Sequence, residues 1–479
     1  MIHNNNNDTL AELRALAQPG DAAFDIALAA EAVSRCLDRG DTASVQAWFE
    51  DLQAADIADI LAELDQPHAA LALSLIPLEE RAVVFGYLPK ARQAELVATL
   101  RRREIVELFH EMSADERADL FNALPEHEQE RVLPALAQAE REDIRRLSSY
   151  AEGTAGAVMT SEYATLGADL TAREAVEELR RVAPDKETIY DAYIVDGDRR
   201  LVGVVSLRDL IVAPPTARVA EIMETDVVYA RVDDSRKSAA EKIARYDLTA
   251  LPVINGGDRL VGIITADDAM DVAEAESTDS FHKVGTVGPL GASLRDASTW
   301  LLFQKRVFWL VVLVFGNIFS GAGIAFFEDT IASHIALVFF LPLLIDSGGN
   351  AGSQSATLMV RALATGDVQM RDWGRMLGRE IGVALLLGLV MAVAVSVLGV
   401  IRGGPQIAMV VSLTMICVVL VGSLIGMSLP FVLSRLKFDP ATASAPLITT
   451  IADAAGVLIY FAIASMLLPE LAAMSDAAG

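Results

Sequence analysis

Asp453 is the single charged residue in the stretch PLITTIADAAGVLIYFAIASMLL, 446–468. A charged side chain at mid-bilayer costs about 2.5–3.5 kcal/mol on insertion scales, so such a carboxylate is expected to face protein or water and to mark an ion path. Counted along a helix from Ala443, it lies about 15 Å deep, near the middle of a hydrocarbon core about 30 Å thick. The competing use is a protonated carboxyl bonded to a neighbouring helix. A second acid, Asp346, precedes SGGNAGSQS in another apolar segment. Paired glycines weaken a helix and expose its backbone oxygens, so Gly348, Gly349 and Asn350 are candidates to offer carbonyl or amide oxygens to a cation. Tight helix packing by the same glycines is the alternative. Carboxylates with a few neutral oxygens suit a hard divalent cation that keeps most of its water.

A second group of carboxylates precedes the apolar segments. ADDAMDVAEAESTDSFHKVG, 266–285, has no proline and no glycine until its end and reads as one helix. At about 100° per residue, Asp268, Asp271, Glu276 and Asp279 fall near 0°, −60°, +80° and +20°, a face about 140° wide. Carboxylates crowded on one face repel unless a cation lies among them. A solvated acidic face is the simpler alternative.

The elements that position these residues follow from how charge is distributed. The chain has 479 residues, a formal net charge of −26 and a positive mean hydropathy of +0.37. Of the 65 acidic and 39 basic residues, 55 and 30 precede Leu301, leaving ten and nine in the remainder. An acidic front part disfavours nucleic acid or an anionic membrane surface as partner. The remainder reads as a membrane domain of five spans: 307–327, 331–360 with its polar interruption, 381–401, 407–434 and 443–468. Lys305, Arg306, Arg361, Arg371, Arg375, Arg379, Arg435 and Lys437 all fall on one side if the N-terminus is cytoplasmic. The opposite loops carry Arg402 alone, so the C-terminus is expected outside. MIHNNNNDTLAEL has neither a basic nor an apolar stretch of the kind a signal peptide needs. Cys36 and Cys417 lie in regions too different to pair.

Between residues 54 and 136, short apolar helices recur about every 12 residues (ADILAELD, LALSLIP, AVVFGYLP, AELVATL, IVELFHEM, ADLFNALP). Helices so short cannot bury an apolar face alone and are expected to stack as an all-helical superhelix. From Ala157 the pattern changes. RLVGVVSLRDL, 200–210, recurs as RLVGIITADDA, 259–269, and AVMTSEY, 157–163, is echoed by EIMETDV, 221–227. Each copy holds an amphipathic helix and then a strand, giving two tandem α/β modules of about 60 residues. They resemble a pair of CBS domains. Ser206 with Asp209, and Thr265 with Asp268, occupy positions that contact nucleotide in some such pairs, which would make ATP a ligand. The same residues equally suit helix N-caps.

In this order of parts the chain resembles the MgtE family of magnesium channels over nearly its whole length. GGNAGSQSATLMVRALATGDV, 348–368, and DPATASAPLITTIADAAGVLIYF, 439–461, carry the resemblance most specifically. It implies an N domain at 1–150, CBS domains within 151–274 (about 157–213 and 221–274), a connecting plug helix and linker at 275–303, and a five-helix membrane domain at 304–479. It further implies a homodimer in the bacterial inner membrane that conducts Mg2+, with Asp453 from two copies meeting at the pore axis. Gly348, Gly349 and Asn350 join that candidate site through their oxygens, and Asp346, which the resemblance does not imply, either helps to attract cations or caps the polar stretch. Regulatory Mg2+ would bind through Asp115, Asp119, Asp247, Asp268, Asp271, Glu276 and Asp279 and close the pore. Lys237 and Ser280 stand where acids are expected in this family. The alternative is a cation-coupled secondary transporter of divalent metals regulated by CBS-bound nucleotide. No GxxxxGK[ST] phosphate loop occurs, and the GxGD of intramembrane aspartyl proteases is absent, so no enzyme is expected.

Overall fold

The computed structural model describes residues 13–14, 25–285, 288 and 297–478, with side chains as far as Leu468. Residues 1–12, which make up nearly all of the N-terminal stretch considered for a signal peptide, and residues 286–287 and 289–296 of the linker lie outside the described residues. The chain divides into two units, Met1–Glu274 and Ala275–Gly479.

The first unit begins with helices of 7 to 13 residues, and proline punctuates them. Proline excludes the residue before it from helical backbone; accordingly Ile76, Leu88 and Leu124, before Pro77, Pro89 and Pro125, have ψ of 138°, 145° and 144°. Each of these turning residues is itself buried, so the same dipeptide ends a helix and anchors it. Each helix packs on the helix two places along: Ala54–Glu63 on Leu78–Tyr87 on Arg102–Glu111, and Gln66–Leu75 on Lys90–Val97 on Ala114–Ala123. One apolar core from Leu13 to Ile144 runs between the two rows.

The tandem modules follow. β1 (Tyr163–Leu166), β2 (Thr188–Val195) and β3 (Leu201–Ser206) form one sheet, and β4 (Ala230–Arg231), β5 (Ala250–Ile254) and β6 (Leu260–Thr265) form the other. In both, the first pair is parallel, joined across helix Ala172–Val182 or Arg236–Tyr246, and the second is an antiparallel hairpin. The echoed methionine segments are exchanged between modules: Thr160 pairs with Ile263, and Glu224 with Val204. The repeated RLVG glycines make room for this. A Cβ on Gly262 would lie 2.6 Å from Met159 Sδ, and one on Gly203 2.8 Å from Met223 Sδ. The 59-residue repeat therefore records two modules that complete each other.

Among the described residues of the second unit, four helices are long and apolar enough to cross a membrane: Thr299–Phe326, Ala336–Ala364, Met370–Arg435 and Ala445–Leu468. The third cannot be one straight rod. The 63 residues of Trp373–Arg435 would extend about 95 Å at 1.5 Å per residue, some three times the hydrocarbon thickness. It folds back at Gly404, whose φ of 78° and ψ of −179° are outside helical backbone and suit glycine. The arms 373–403 and 405–435 then pack antiparallel. A Cβ on Gly399 would lie 2.6 Å from Ala408 Cα, Ser412 Oγ donates to the Ala392 carbonyl at 3.3 Å, and a Cβ on Gly388 would lie 3.0 Å from Ile416 Cα.

The polar stretch SGGNAGSQS does not interrupt its segment, because Ala336–Ala364 is a continuous helix through it. Gly348 and Gly352 lie against Gly422 and Gly426 of the hairpin, with glycine carbonyls where Cβ atoms of the facing glycines would stand. Gly349 lies against Thr449 of the last helix. Two small-xxx-small steps thus bring backbones together, and van der Waals contact replaces the missing side chains. Tight packing, rather than a broken helix, is the reason for these glycines.

Candidate ion path and regulatory sites

Helix Ala336–Ala364 and the last helix, Ala445–Ala478, run antiparallel in contact. Gly352 meets Ile448, Gly349 meets Thr449, and Ile345 meets Gly456. This register sets Asp346 next to Asp453, close enough for their charges to interact. Asp346 and Asn350 are exposed on the same helix face one turn apart, and Asn350 Nδ2 donates to Asp346 Oδ2 at 2.9 Å. Asp453 is half-buried, and its Oδ1 is buried with no hydrogen-bond partner among the described residues. The surrounding core, from Leu337 and Phe340 to Val457, Tyr460 and Phe461, is apolar. Tyr460 donates to the Leu337 carbonyl at 2.9 Å, fixing the same two helices.

The structure therefore brings Asp453, Asp346 and Asn350 together and places Gly348 and Gly349 where the helices cross. The Gly348 carbonyl is turned to Gly422, and both glycines are buried, so they set the distance between the helices. The glycines shape the site by letting the two acidic helices approach.

In the first unit the carboxylates fall into a less compact arrangement. Asp115, in the first turn of helix Ala114–Ala123, has its Oδ1 buried without a partner among the described residues. Burial, then the Asp119 charge, pushes its pKa above the usual carboxylate range. Asp268 is pushed up to about 7, chiefly by burial and then by Asp115, while the Thr265 hydroxyl opposes the shift. Sequence reasoning missed three neighbours. Glu116 is raised by burial and Asp115. Glu162, bonded at 2.8 Å to the buried Arg117 guanidinium, is raised by burial despite that partner. Glu187 is raised to about 8 by burial and by Asp115, Glu162, Asp268 and Glu116. Glu162 and Glu187 lie at the start of β1 and β2, and only the parallel pairing of those strands brings them to the helical domain's acids. No spacing in the sequence signals that.

The remaining regulatory candidates are spread out. Asp119 pairs with Lys90 at 3.0 Å. Asp247 is exposed at the C-cap of helix Arg236–Tyr246 with φ of 51°. Asp271 is largely exposed, and the partial burial of its carboxyl, with Asp267 and Glu274 nearby, raises its pKa. Glu276 and Asp279 lie farther along helix Ala266–Val284, in the second unit, and Asp279 pairs with Lys283. Among the described residues, no three His, Cys, Asp or Glu side chains converge closely enough to hold a metal ion directly. At the nucleotide candidates, Ser206 Oγ donates to Asp209 Oδ2 at 2.6 Å and accepts from Asp209 N at 3.0 Å, while Thr265 Oγ1 donates to Asp268 Oδ2 at 2.5 Å. Both pairs are used locally at the start of a helix, as N-caps are.

The raised carboxylates predict a pH dependence. A carboxylate whose folded pKa lies above its unfolded value binds more protons in the folded state, so stability falls as pH rises between the two. For Asp268 and Glu187 that window runs from about pH 4 to the values of about 7 and about 8. Thermal unfolding of the full chain without divalent ions is expected to shift downward between pH 5 and pH 9. Glu187→Gln is expected to match wild type near pH 5 and to unfold at a higher temperature than wild type at pH 9. An equal pH slope in the two proteins would remove Glu187 from the cluster.

Comparison with known proteins matches residues 52–153 to the MgtE intracellular N domain, 155–215 and 219–275 to CBS domains, and 341–463 to MgtE, a divalent cation transporter. The magnesium transporter MgtE of Thermus thermophilus is 40% identical over 442 residues, 92% of this chain and 98% of that protein. That of Bacillus subtilis is 31% identical over 424 residues, 88% of this chain and 94% of that one. A crystal structure of the cytosolic domain of the Mg2+ channel MgtE in complex with ATP matches at 40% identity and a TM-score of 0.49, covering 51% of this chain and 99% of that one.

Proposed function

The chain belongs to the MgtE family of divalent cation transporters, and on that premise we propose that it is a self-regulated Mg2+ channel. The observation that carries this reading is Asp453 beside Asp346 on two tightly packed helices within an apolar core. In a homodimer, two such pairs around one axis form a site of high negative charge. Mg2+ dehydrates reluctantly and is held through few carboxylates with water retained, which suits acids that make no direct ligand cage. With the hairpin counted as two crossings, the membrane domain crosses five times. The Lys and Arg distribution then puts the N-terminus in the cytoplasm and the C-terminus outside.

The membrane potential supplies the driving force: a divalent ion gains about 4.6 kcal/mol per 100 mV, twice the figure for one charge. Closure follows from the acids of the first unit and of the connecting helix. At low Mg2+ they repel; hydrated Mg2+ among Asp115, Asp119, Asp247, Asp268, Asp271, Glu276 and Asp279 relieves the repulsion and holds the connecting helix as a plug. Glu162 and Glu187 add to that field. ATP at Ser206, Asp209, Thr265 and Asp268 is a further proposed ligand, supported by the CBS pattern, and it must compete with the capping bonds made there.

Mg2+ uptake into proteoliposomes tests the channel reading. Influx is expected under an inside-negative potential alone, without any counter-ion gradient, and is expected to fall as Mg2+ rises on the cytoplasmic face. A strict requirement for a proton or Na+ gradient would instead establish the coupled transporter.

A further inference from the structure

At the end of the connecting helix, Lys283 forms an ion triad that reaches the loop before the last membrane helix. Lys283 Nζ lies 2.5 Å from Asp279 Oδ2, one turn earlier, and 2.7 Å from Asp439 Oδ2, in the loop before the last membrane helix. All three side chains are between 30% and 40% exposed, so the triad is shielded on most of its surface. Asp439 is itself oriented, because its Oδ1 accepts from Ala441 N at 2.9 Å. Lys283 occupies the last turn of helix Ala266–Val284, where unpaired carbonyls favour a cation. The next residue, Val284, packs on Ala356, Val360, Ala441, Ala443 and Ile448, the cluster joining the ends of two membrane helices. Apolar contact and ion triad thus act on the same turn.

We propose that the Lys283 ammonium is a tethered cation that bridges Asp279 and Asp439 and keeps the end of the connecting helix docked on the membrane domain without a bound metal. Two carboxylates sharing one ammonium leave a net charge of −1, so repulsion that a divalent ion would otherwise be needed to relieve is already offset at this junction. The ammonium cannot dissociate into solvent as Mg2+ does. On the reading that the docked helix closes the pore, Lys283 lowers the Mg2+ concentration needed for closure.

The test uses full-length protein in lipid nanodiscs and proteoliposomes, with Lys283→Gln and the charge-conserving Lys283→Arg. Hydrogen exchange over residues 276–285 without divalent ions reads docking, and the cytoplasmic Mg2+ concentration at half-closure reads regulation. Lys283→Gln is expected to exchange about fivefold faster and to need about threefold more Mg2+, in the range of a partly shielded ion pair; Lys283→Arg is expected to restore both. Unchanged exchange in Lys283→Gln would overturn the proposal. So would a lower half-closing concentration, since the ammonium would then only compete with Mg2+. If wild-type flux ignores cytoplasmic Mg2+, the gating reading fails while the exchange comparison still decides whether Lys283 docks the helix.

Discussion

Asp453→Ala is expected to reduce Mg2+ influx at low external Mg2+ by at least about tenfold while leaving folded yield unchanged. Each carboxylate attracts a divalent ion about 5 Å away by about 1.7 kcal/mol even at the dielectric constant of water, and more in a narrow path. That alone corresponds to more than tenfold in occupancy, and a dimer loses two such charges. The Oδ1 atom of Asp453 has no hydrogen-bond partner among the described residues, so its removal breaks no bond that the fold uses. Asp453→Asn keeps the shape and removes the charge, and is expected to behave like alanine. Asp346→Ala is expected to show a weaker effect in the same direction, because Asp346 is exposed and shares its carboxylate with the Asn350 amide. Selective flux at wild-type level in Asp453→Asn would make the residue structural and move the ion site elsewhere.

Gly426→Val is expected to abolish the folded membrane domain, read as loss of a single symmetric peak in detergent size exclusion. The first atom of any side chain at Gly426 meets the Gly352 carbonyl, and the same holds for Gly422 against Gly348. Overpacking usually costs about 1–3 kcal/mol when neighbouring side chains can shift. Here the obstacle is backbone on a helix fixed by contacts on two sides, so the helices must separate. Separation would also move Gly349 off Thr449 and draw Asp346 away from Asp453. The contrast is Gly378→Ala, where a Cβ meets nothing within 4 Å; that change is expected to be neutral or slightly stabilising, by the helix propensity of alanine over glycine. Equal yields of Gly426→Val and Gly378→Ala would refute the close crossing.

Much of the candidate site was legible in the sequence where local composition carries it. A lone acid in an apolar stretch is visible without a fold, because the cost of its burial is fixed by the residues around it in the chain. The exchanged methionine segments left a trace for a similar reason: the same contact is made twice, so Met and Gly recur at matching places. The GGN stretch misled because glycine has two physical uses, freeing the backbone and letting helices approach. Only the facing glycines, Gly422 and Gly426, some seventy residues later, decide between them.

Residue composition and period carry the segregation of an acidic front part from an apolar remainder, the rhythm of short proline-ended helices, the tandem modules, and Asp453 as a lone carboxylate in an apolar segment. These are properties of composition and period, which act over a few residues. Contacts in the folded chain, by contrast, set that Trp373–Arg435 turns back at Gly404, that Asp346 stands beside Asp453, that Glu162 and Glu187 join Asp115 and Asp268, and that Lys283 bridges to Asp439. Each depends on a contact between residues far apart in the chain, and close packing of whole elements, rather than local preference, sets which of them meet.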